Sequence, residues 1–419
     1  MSQVSIIGAY NSKFGAFVDK NKETGEVTDR KSIYELLNEA VKGAVEDAQI
    51  DPHEIDGVWV TSFTPGLFTE QDHLGPLPIE AFPEALRFKP SQRVEGACAS
   101  GSMGIYNAVY GIESGRYKKA LVVGVEKMNL LKTRGVTHAL ATASYWPTEG
   151  AQGMTFPGLF AEYARGYKEH YKLTDEELRE MLAYVSALMY KNGLENPSAH
   201  FSKGSPADRY GLVTPQAILD LPDEKNPMIA EPLRLHDCSL ITDGAAGVVL
   251  AHNDVLGSRT PRAVEIAGIG HSSERLPIER RDNMHELIAG KTAVNQAYRE
   301  ARISVDDLDL AEVHDCFTIN QLLSTEALGL SQDGRSGHDY KEGRFTRDDR
   351  CPVNLSGGLK AKGHPVGATG VSMHALVYKQ LVGEPIGAAP STGSPEVGVT
   401  LNVGGSAATN AVTVLRRTR

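Results

Sequence analysis

Val4-Ser-Ile-Ile-Gly-Ala-Tyr10 and Val264-Glu-Ile-Ala-Gly-Ile-Gly270 are one short β-rich run written twice, each closed by a glycine. After the first, Ile33, Leu36, Leu37, Ala40, Val41, Ala44, Val45 and Ala48 recur at helical spacing across Ser32 to Gln49. Strands follow at Asp56 to Ser62, at Gln92 to Ala97 and at Ala120 to Glu126, with a helix from Ala99 to Ser114. The second run is followed by the same order: helix Thr292 to Arg302, strand Leu310 to Val313, helix Ile319 to Leu328, strand Val353 to Leu355 and helix Ala368 to Leu381. Strands Gly398 to Val403 and Asn410 to Leu415 close it. Register holds too, since Ala48-Gln-Ile-x-x-x-x-Ile55-Asp56 aligns with Ala301-Arg-Ile-x-x-x-x-Leu308-Asp309. Apolar strands alternating with helices predict an α/β chain with a covered, largely parallel sheet, built as two related βαβαβαββ halves.

The expected division is a first half at 1–126, an inserted region with its return strand at 127–252, and a second half at 253–419. The insertion holds the Gly/Pro-rich runs PTEGAQGMTFPG and LPDEKNP around a helical stretch from Asp175 to Tyr190; long loops on a rigid scaffold are where substrate contacts concentrate. The 419 residues are 41% hydrophobic and 23% charged, which gives a globular chain with a large core. Lys+Arg 43 against Asp+Glu 53 leaves a net charge of -10, which disfavours a general nucleic-acid or anionic-membrane surface. Cys98, Cys238, Cys316 and Cys351 are too few and scattered for a disulfide framework, and no secretory leader or long apolar run is apparent. A cytoplasmic location is expected.

Cys98 lies in Arg93-Val-Glu-Gly-Ala-Cys-Ala-Ser-Gly-Ser-Met-Gly104, where a strand passes through small residues into a helix. A helix N-terminus favours a thiolate and lowers its pKa, and flanking Gly and Ala leave room for an incoming carbonyl; the alternative is a small buried cysteine at a tight packing point. Aligning Gly367-x-x-Gly370 of Gly357-Gly-Leu-Lys-Ala-Lys-Gly-His364-Pro-Val-Gly-Ala-Thr-Gly370 on Gly101-x-x-Gly104 puts His364 in the second half where Cys98 stands in the first. The loop is no P-loop, because His replaces the required Lys-Ser/Thr, and Gly268-Ile-Gly270 lacks the third glycine of a dinucleotide fingerprint. His314 and Cys316, in Ala311-Glu-Val-His-Asp-Cys-Phe317, form a candidate acid/base pair on one side of an extended segment. His236-Asp-Cys238 raises a zinc alternative, but its ligand spacing is poor and a packed loop is the plainer reading. No metal is expected.

With these motifs together the chain resembles the thiolase superfamily over nearly its whole length. Cys-Ala-Ser-Gly-Ser-Met-Gly from Cys98 resembles the nucleophile motif, Gly-His-Pro-Val-Gly-Ala-Thr-Gly around His364 the Gly-His-Pro motif, and Asp243-Gly-Ala-Ala with Ser239 the coenzyme A loop. The family's usual Asn-Glu-Ala-Phe and Cys-x-Gly are replaced by His314-Asp-Cys-Phe317 and Asn402-Val-Gly404, a pattern similar to the sterol-carrier-protein type. The resemblance implies the thiolase fold: pseudo-twofold halves in a five-layered αβαβα core, plus the inserted loop domain.

It also implies an acyl-CoA C-acyltransferase that cleaves a 3-oxoacyl-CoA with CoA, or runs the reverse Claisen condensation. Cys98 would carry the acyl group, His364 would be its base, and Cys316 the acid/base toward the leaving carbanion and CoA. His314 and His364 would polarise the thioester oxygen, and the backbone N–H groups of Cys98 and Gly404 the tetrahedral oxygen. Coenzyme A is implied as a substrate, with no permanently bound cofactor. A decarboxylating ketosynthase, an aldolase-like relative and a non-catalytic acyl-CoA-binding scaffold are the alternatives; Cys316 argues against the first. Homodimers or dimers of dimers are implied, with the strand near Gln92 to Ala97 as a contact, and some relatives pair with a small zinc-ribbon and OB-fold subunit. Tyr145, Trp146, Phe156, Phe160, Tyr163 and Tyr167 concentrate aromatics in the insertion, which suggests a bulky acyl group of the kind a benzoylsuccinyl-CoA thiolase handles. Helical spacing of the last four fits simple packing against the core equally well.

Overall fold

The computed structural model of the chain describes residues 3–21, 23–257 and 262–418. The first half contributes β1 (Val4–Asn11), α1 (Ile33–Ala48), β2 (Gly57–Thr61), β3 (Ser91–Val94), α2 (Ser100–Glu113) and β4 (Lys119–Glu126). The insertion carries α3 (Thr133–Ala141), α4 (Phe156–His170) and α5 (Asp175–Glu195) before the chain returns as β5 (Gly244–His252). The second half adds β6 (Val264–Ser273), α6 (Ile288–Ala301), β7 (Leu310–Val313), α7 (Thr318–Ala327), α8 (Thr369–Leu381), β8 (Val397–Gly404) and β9 (Thr409–Arg417).

These strands form one sheet in the order β7-β8-β9-β6-β1-β5-β4-β2-β3. β2 pairs in parallel with β3 and β4, and β7 with β8, whereas β5 and β9 run antiparallel to both of their neighbours. The halves meet where β1 and β6 pair antiparallel through Ser5↔Glu265 and Ile6↔Val264.

The duplication extends to local geometry. β1 shifts register between Ile6 and Gly8, and β6 does so between Ile266 and Gly268, so both first strands carry an irregularity at the same place. A Cβ on Gly8 would lie 2.4 Å from the backbone of Ala48, and one on Gly268 would lie 2.8 Å from that of Ala301. In each half a strand glycine thus lets the first helix seat closely on the sheet. Both helices then stop in a left-handed residue, Gln49 at φ 52° and Arg302 at φ 56°.

The layers follow from which helix faces are apolar. α1, started by a Ser32/Glu35 capping box, buries Leu36, Leu37, Val41 and Ala44 on the outer face of the first half, while α6 covers the outer face of the second. α2 and α8 pack against each other between the two halves, sharing a core of Ile105, Val109, Val371 and Val377 with strand residues such as Ile6, Val122 and Val264. The result is an αβαβα sandwich whose central helices start side by side. Small residues permit this, since a Cβ on Gly101 would fall 2.4 Å from Val371 N and one on Gly370 2.4 Å from Ser102 N.

Two expected strands are shorter than their patterns predict. β3 ends at Val94 because Ala97 takes φ 50° and turns the chain toward α2. The expected strand at Val353 to Leu355 is reduced to one bridge, Ala311↔Val353, because Asn354 sits at φ 54°. Its side chain replaces the missing ladder: Oδ1 accepts from Val313 N (2.7 Å) and Nδ2 donates to Val313 O (3.1 Å).

Candidate active site

Cys98 stands in a single turn, Ala97–Ala99, between β3 and α2. Ser100 fixes that turn, its Oγ accepting from Gly96 N (2.9 Å) and donating to Ala97 O (2.6 Å). The thiol is buried, and the backbone N–H groups of Gly405 and of Cys98 itself hydrogen-bond its sulfur. The helix N-terminus does not leave it acidic. Burial pushes the thiol up to about 12, reinforced by the charges of Glu126 and Glu95 and only partly opposed by the two N–H groups. Desolvation outweighs the dipole, so the resting nucleophile is a neutral thiol.

His364 enters from the second half on a loop that needs its glycines: Gly357 has φ 95°, Gly358 φ 59° and Gly363 φ 117°. A Cβ on Gly358 would lie 2.1 Å from Asp315 Oδ2. That close approach lets Asp315 hold the loop, its two carboxylate oxygens accepting from Leu359 N (2.6 Å) and Lys360 N (3.3 Å). Thr369 Oγ1 donates to Pro365 O (3.0 Å) and so accepts from His364 Nδ1 (2.7 Å), which leaves Nε2 with its lone pair. Burial, with the Lys362 ammonium nearby, lowers the His364 imidazole to about 3. On the other flank Glu126 accepts from Phe63 N (2.7 Å), Ser62 Oγ (2.8 Å) and Gly367 N (2.9 Å), tying the loop to the end of β2.

His314 follows β7 and is fully buried. Its ring meets that of His364 edge-on, with centroids 5.1 Å apart at 89°. Cys98 Sγ and one ring nitrogen from each histidine lie within 4.8 Å of one another, the cluster of potential ligand atoms found among the described residues. The structure therefore brings together Cys98, His314 and His364 from three separated motifs. Burial first, then His364 and Lys362, hold His314 neutral.

Cys316 is outside that tight group but lines the same cavity of about 280 Å³ with Cys98 and His364. Burial raises its thiol well above the ordinary value, with Cys98, Asp315 and Cys238 adding to the effect. The cavity walls are apolar, including Phe63, Met128, Val136, Leu140, Phe156 and Ile241. Ser239 is half-buried on the same wall, and its N–H donates to Cys316 O (2.8 Å). Asp243 is turned inward: its carboxylate accepts from Met128 N, Asn129 N and Phe17 N and pairs with buried Lys127 at 3.0 Å, so it braces the loops around the cavity.

Several expected features are placed differently. The N–H of Gly405, at φ 60°, reaches Cys98 Sγ, and the adjoining Gly404 lies against Gly96 and Ala99, where a Cβ would come 2.4 Å from Gly96 O. Cys238 shares the cavity wall, while His236 Nδ1 faces Tyr190 OH (2.7 Å) and takes no part in the His/Cys cluster. Of the insertion aromatics, Phe156 lines the cavity. Phe160 stacks on Phe317 (4.7 Å), Tyr163 OH donates to Ser406 O (3.2 Å) and Tyr167 OH to Glu326 (2.6 Å), so these three fasten the insertion to the second half. Trp146 is largely on the surface, against His138. Asn402, Thr369, Glu126 and Asp315 escape motif reading as parts of the site; the one available signal is Asn402 standing where Cys-x-Gly would place a cysteine.

A thiol and two imidazoles, converging from two halves of a duplicated α/β sheet onto an apolar cavity, define an acyltransferase built on the thiolase fold. The family model of the thiolase N-terminal domain matches residues 4–254, and that of the thiolase C-terminal domain-like region matches 270–417. An acetyl-CoA acetyltransferase of Methanothermobacter thermautotrophicus is 36% identical over 417 residues, covering 100% of both chains. The benzoylsuccinyl-CoA thiolase subunit BbsB of Thauera aromatica is 28% identical over 383 residues, covering 90% of this chain and 89% of its own. A solved Ltp2-ChsH2(DUF35) aldolase superposes with a TM-score of 0.78 at 18% identity, covering 100% of this chain and 98% of that one, a likeness of fold. The chain belongs to the thiolase family. Among the described residues no helix is long and apolar enough to cross a membrane.

Proposed function

We propose that the enzyme interconverts acetoacetyl-CoA plus CoA with two acetyl-CoA, through an acyl group on Cys98. The observation that carries this is the Cys98–His314–His364 cluster opening on a cavity that Cys316 also lines. His364 Nε2 takes the Cys98 proton as sulfur attacks the keto carbon, and the bond between that carbon and the α-carbon breaks. Cys316 gives its proton to the leaving enolate, then takes one from CoA-SH, whose sulfur displaces Cys98; the departing thiolate recovers its proton from His364. His314 and protonated His364 donate to the thioester oxygen, and the N–H groups of Cys98 and Gly404 to the tetrahedral oxygen. The full-length relative named acetyl-CoA acetyltransferase supports the short acyl group. Read in reverse, the same atoms perform the condensation. CoA enters as a substrate along the wall that carries Ser239, and no resident cofactor or metal is invoked.

A second reading, a bulky aromatic acyl group, is favoured by Phe156 in the cavity and by the benzoylsuccinyl-CoA thiolase relative. Thiolysis across acetoacetyl-CoA, long-chain and aryl 3-oxoacyl-CoA esters separates the two. Highest kcat/KM for acetoacetyl-CoA, falling with acyl size, supports the first, and preference for aryl esters replaces it with the second. Intact-protein mass spectrometry after acetoacetyl-CoA should show one acetyl adduct, absent in Cys98→Ala; an adduct that persists in that variant refutes the nucleophile. We further propose a cytoplasmic homodimer or dimer of dimers, with a small zinc-ribbon and OB-fold subunit as a candidate partner.

A further inference from the structure

Three segments converge on Asn402, at the point where Cys-x-Gly relatives carry a cysteine. Its side chain is fully buried, as are those of His314 and Ser102. Asn402 Oδ1 accepts from Ser102 Oγ (2.8 Å). Asn402 Nδ2 donates to the carbonyl oxygen of Cys98 (3.1 Å), and the second contact of the same nitrogen is His314 Nδ1 (3.1 Å). A backbone carbonyl accepts only, so the atom facing it is the NH2 group; that group has no lone pair to offer, and His314 Nδ1 must be the acceptor. The proton of neutral His314 therefore sits on Nε2, an atom that is buried and has no hydrogen-bond partner in the structure. Gly370 makes room for the arrangement, since a Cβ there would lie 2.5 Å from Asn402 Oδ1.

His364 is set the opposite way. Thr369 accepts from its Nδ1, so its free nitrogen is a proton acceptor. Two neutral imidazoles with centroids 5.1 Å apart thus present unlike faces to one thiol, a lone pair from one and an N–H from the other. Identical histidines in similar surroundings would otherwise be free to exchange these roles.

We infer that Asn402 is a positioning residue that fixes His314 as the Nε2–H tautomer and so makes it a hydrogen-bond donor to the substrate thioester oxygen, leaving His364 as the base. The inference rests on the proposed role of His314 in acylation. Asn402 touches no reacting atom: it acts through the ring of His314 and, by its second N–H, holds the carbonyl of the nucleophile's own residue.

The test uses the full-length wild type, Asn402→Ala, His314→Ala and the double variant, all in the assembled enzyme. In wild type, ¹⁵N-histidine NMR should find the His314 proton on Nε2; a proton on Nδ1 overturns the inference without any variant. Asn402→Ala should lose that preference and slow acylation by acetoacetyl-CoA by about 10²–10³, the usual effect of one oxyanion donor, with KM little changed. Its Cys98 should still be alkylated by iodoacetamide at the wild-type rate. In the His314→Ala background the same change should add less than about threefold, because residues acting through one another are not additive. Multiplicative losses, or slowed alkylation with the tautomer retained, would reassign Asn402 to a structural role at Cys98. A silent His314→Ala would instead remove the proposed role of His314 itself, while the NMR result would still report whether Asn402 sets its tautomer.

Discussion

At the scale of single residues, the site is defined by burial more than by charge. Cys98 and Cys316 are both driven toward the neutral thiol and both histidines toward neutral imidazole, so the resting site holds uncharged proton donors and acceptors in an apolar chamber. Cys316→Ala should therefore still accept an acyl group from a simple acyl-CoA but fail to exchange the α-proton of acetyl-CoA; exchange at the wild-type rate refutes its acid/base role. The titration of His364 supplies a second prediction. Its folded pKa is lowered to about 3, whereas an unfolded histidine titrates near 6.5. The base stays unprotonated in mildly acidic solution, and the acylation rate should show no acid limb near pH 6.5. Stability moves the other way: below about pH 6.5 the unfolded chain binds a proton that folded His364 refuses, so this group destabilises the fold as pH falls. Melting curves between about pH 7 and 5 should show His364→Asn losing less stability than wild type. An equal loss would mean that His364 is not the group responsible.

At the scale of elements, the repeat was legible because its signals are local. Gly8 and Gly268, and Ala48-Gln49 and Ala301-Arg302, are readable as equivalent positions, whereas the αβαβα layering was implied by the family resemblance and the left-handed stops at Gln49 and Arg302 appear only in the structure. Cys98, His364, His314 and Cys316 were legible as motifs, and the alignment of the halves already placed the first two at equivalent points. What was not legible depends on meetings between distant segments. No pattern in Cys-Pro-Val-Asn-Leu says that Asn354 will turn left-handed and substitute its amide for a strand, and nothing near residue 404 says that Gly405 supplies the N–H at the thiol. The insertion aromatics show the same limit, because helical spacing cannot tell a helix face that packs from one that lines a cavity. The structure divides them, and this makes a third prediction. Phe160, fully buried on Phe317, should cost about 3–5 kcal/mol when changed to Ala, read by denaturant unfolding. Phe156→Ala should leave most of that stability intact and shift the acyl-chain preference toward longer esters. The reverse pattern would mean that the cavity wall has been misassigned.

At the scale of the whole molecule, a sheet of nine strands has two ends, and they differ. At one end Pro352 and Asn354 donate or accept beyond β7, so that edge is partly capped by its own chain. At the other end β3 is the last strand, four residues long, with Gln92 and Arg93 exposed. A short open edge offers unpaired N–H and C=O groups to a second copy, and a twofold axis there would continue the sheet from one molecule into the next. The position matters for chemistry, because β3 leads through Gly96 directly into the Cys98 turn; pairing at this edge would hold the segment that carries the nucleophile. We therefore expect a dimer whose interface contains β3. Light scattering should return a multiple of the 45.2 kDa chain mass under assay conditions. Amide exchange at 91–94 should be slow in concentrated protein and accelerate on dilution, in step with loss of thiolysis activity. A monomer of full activity would refute the dimer, and a dimer whose exchange at 91–94 is indifferent to dilution would place the interface elsewhere and leave the Cys98 turn to be held from within its own chain, as by Ser100 Oγ and the Ala99 N to Gly96 O bond.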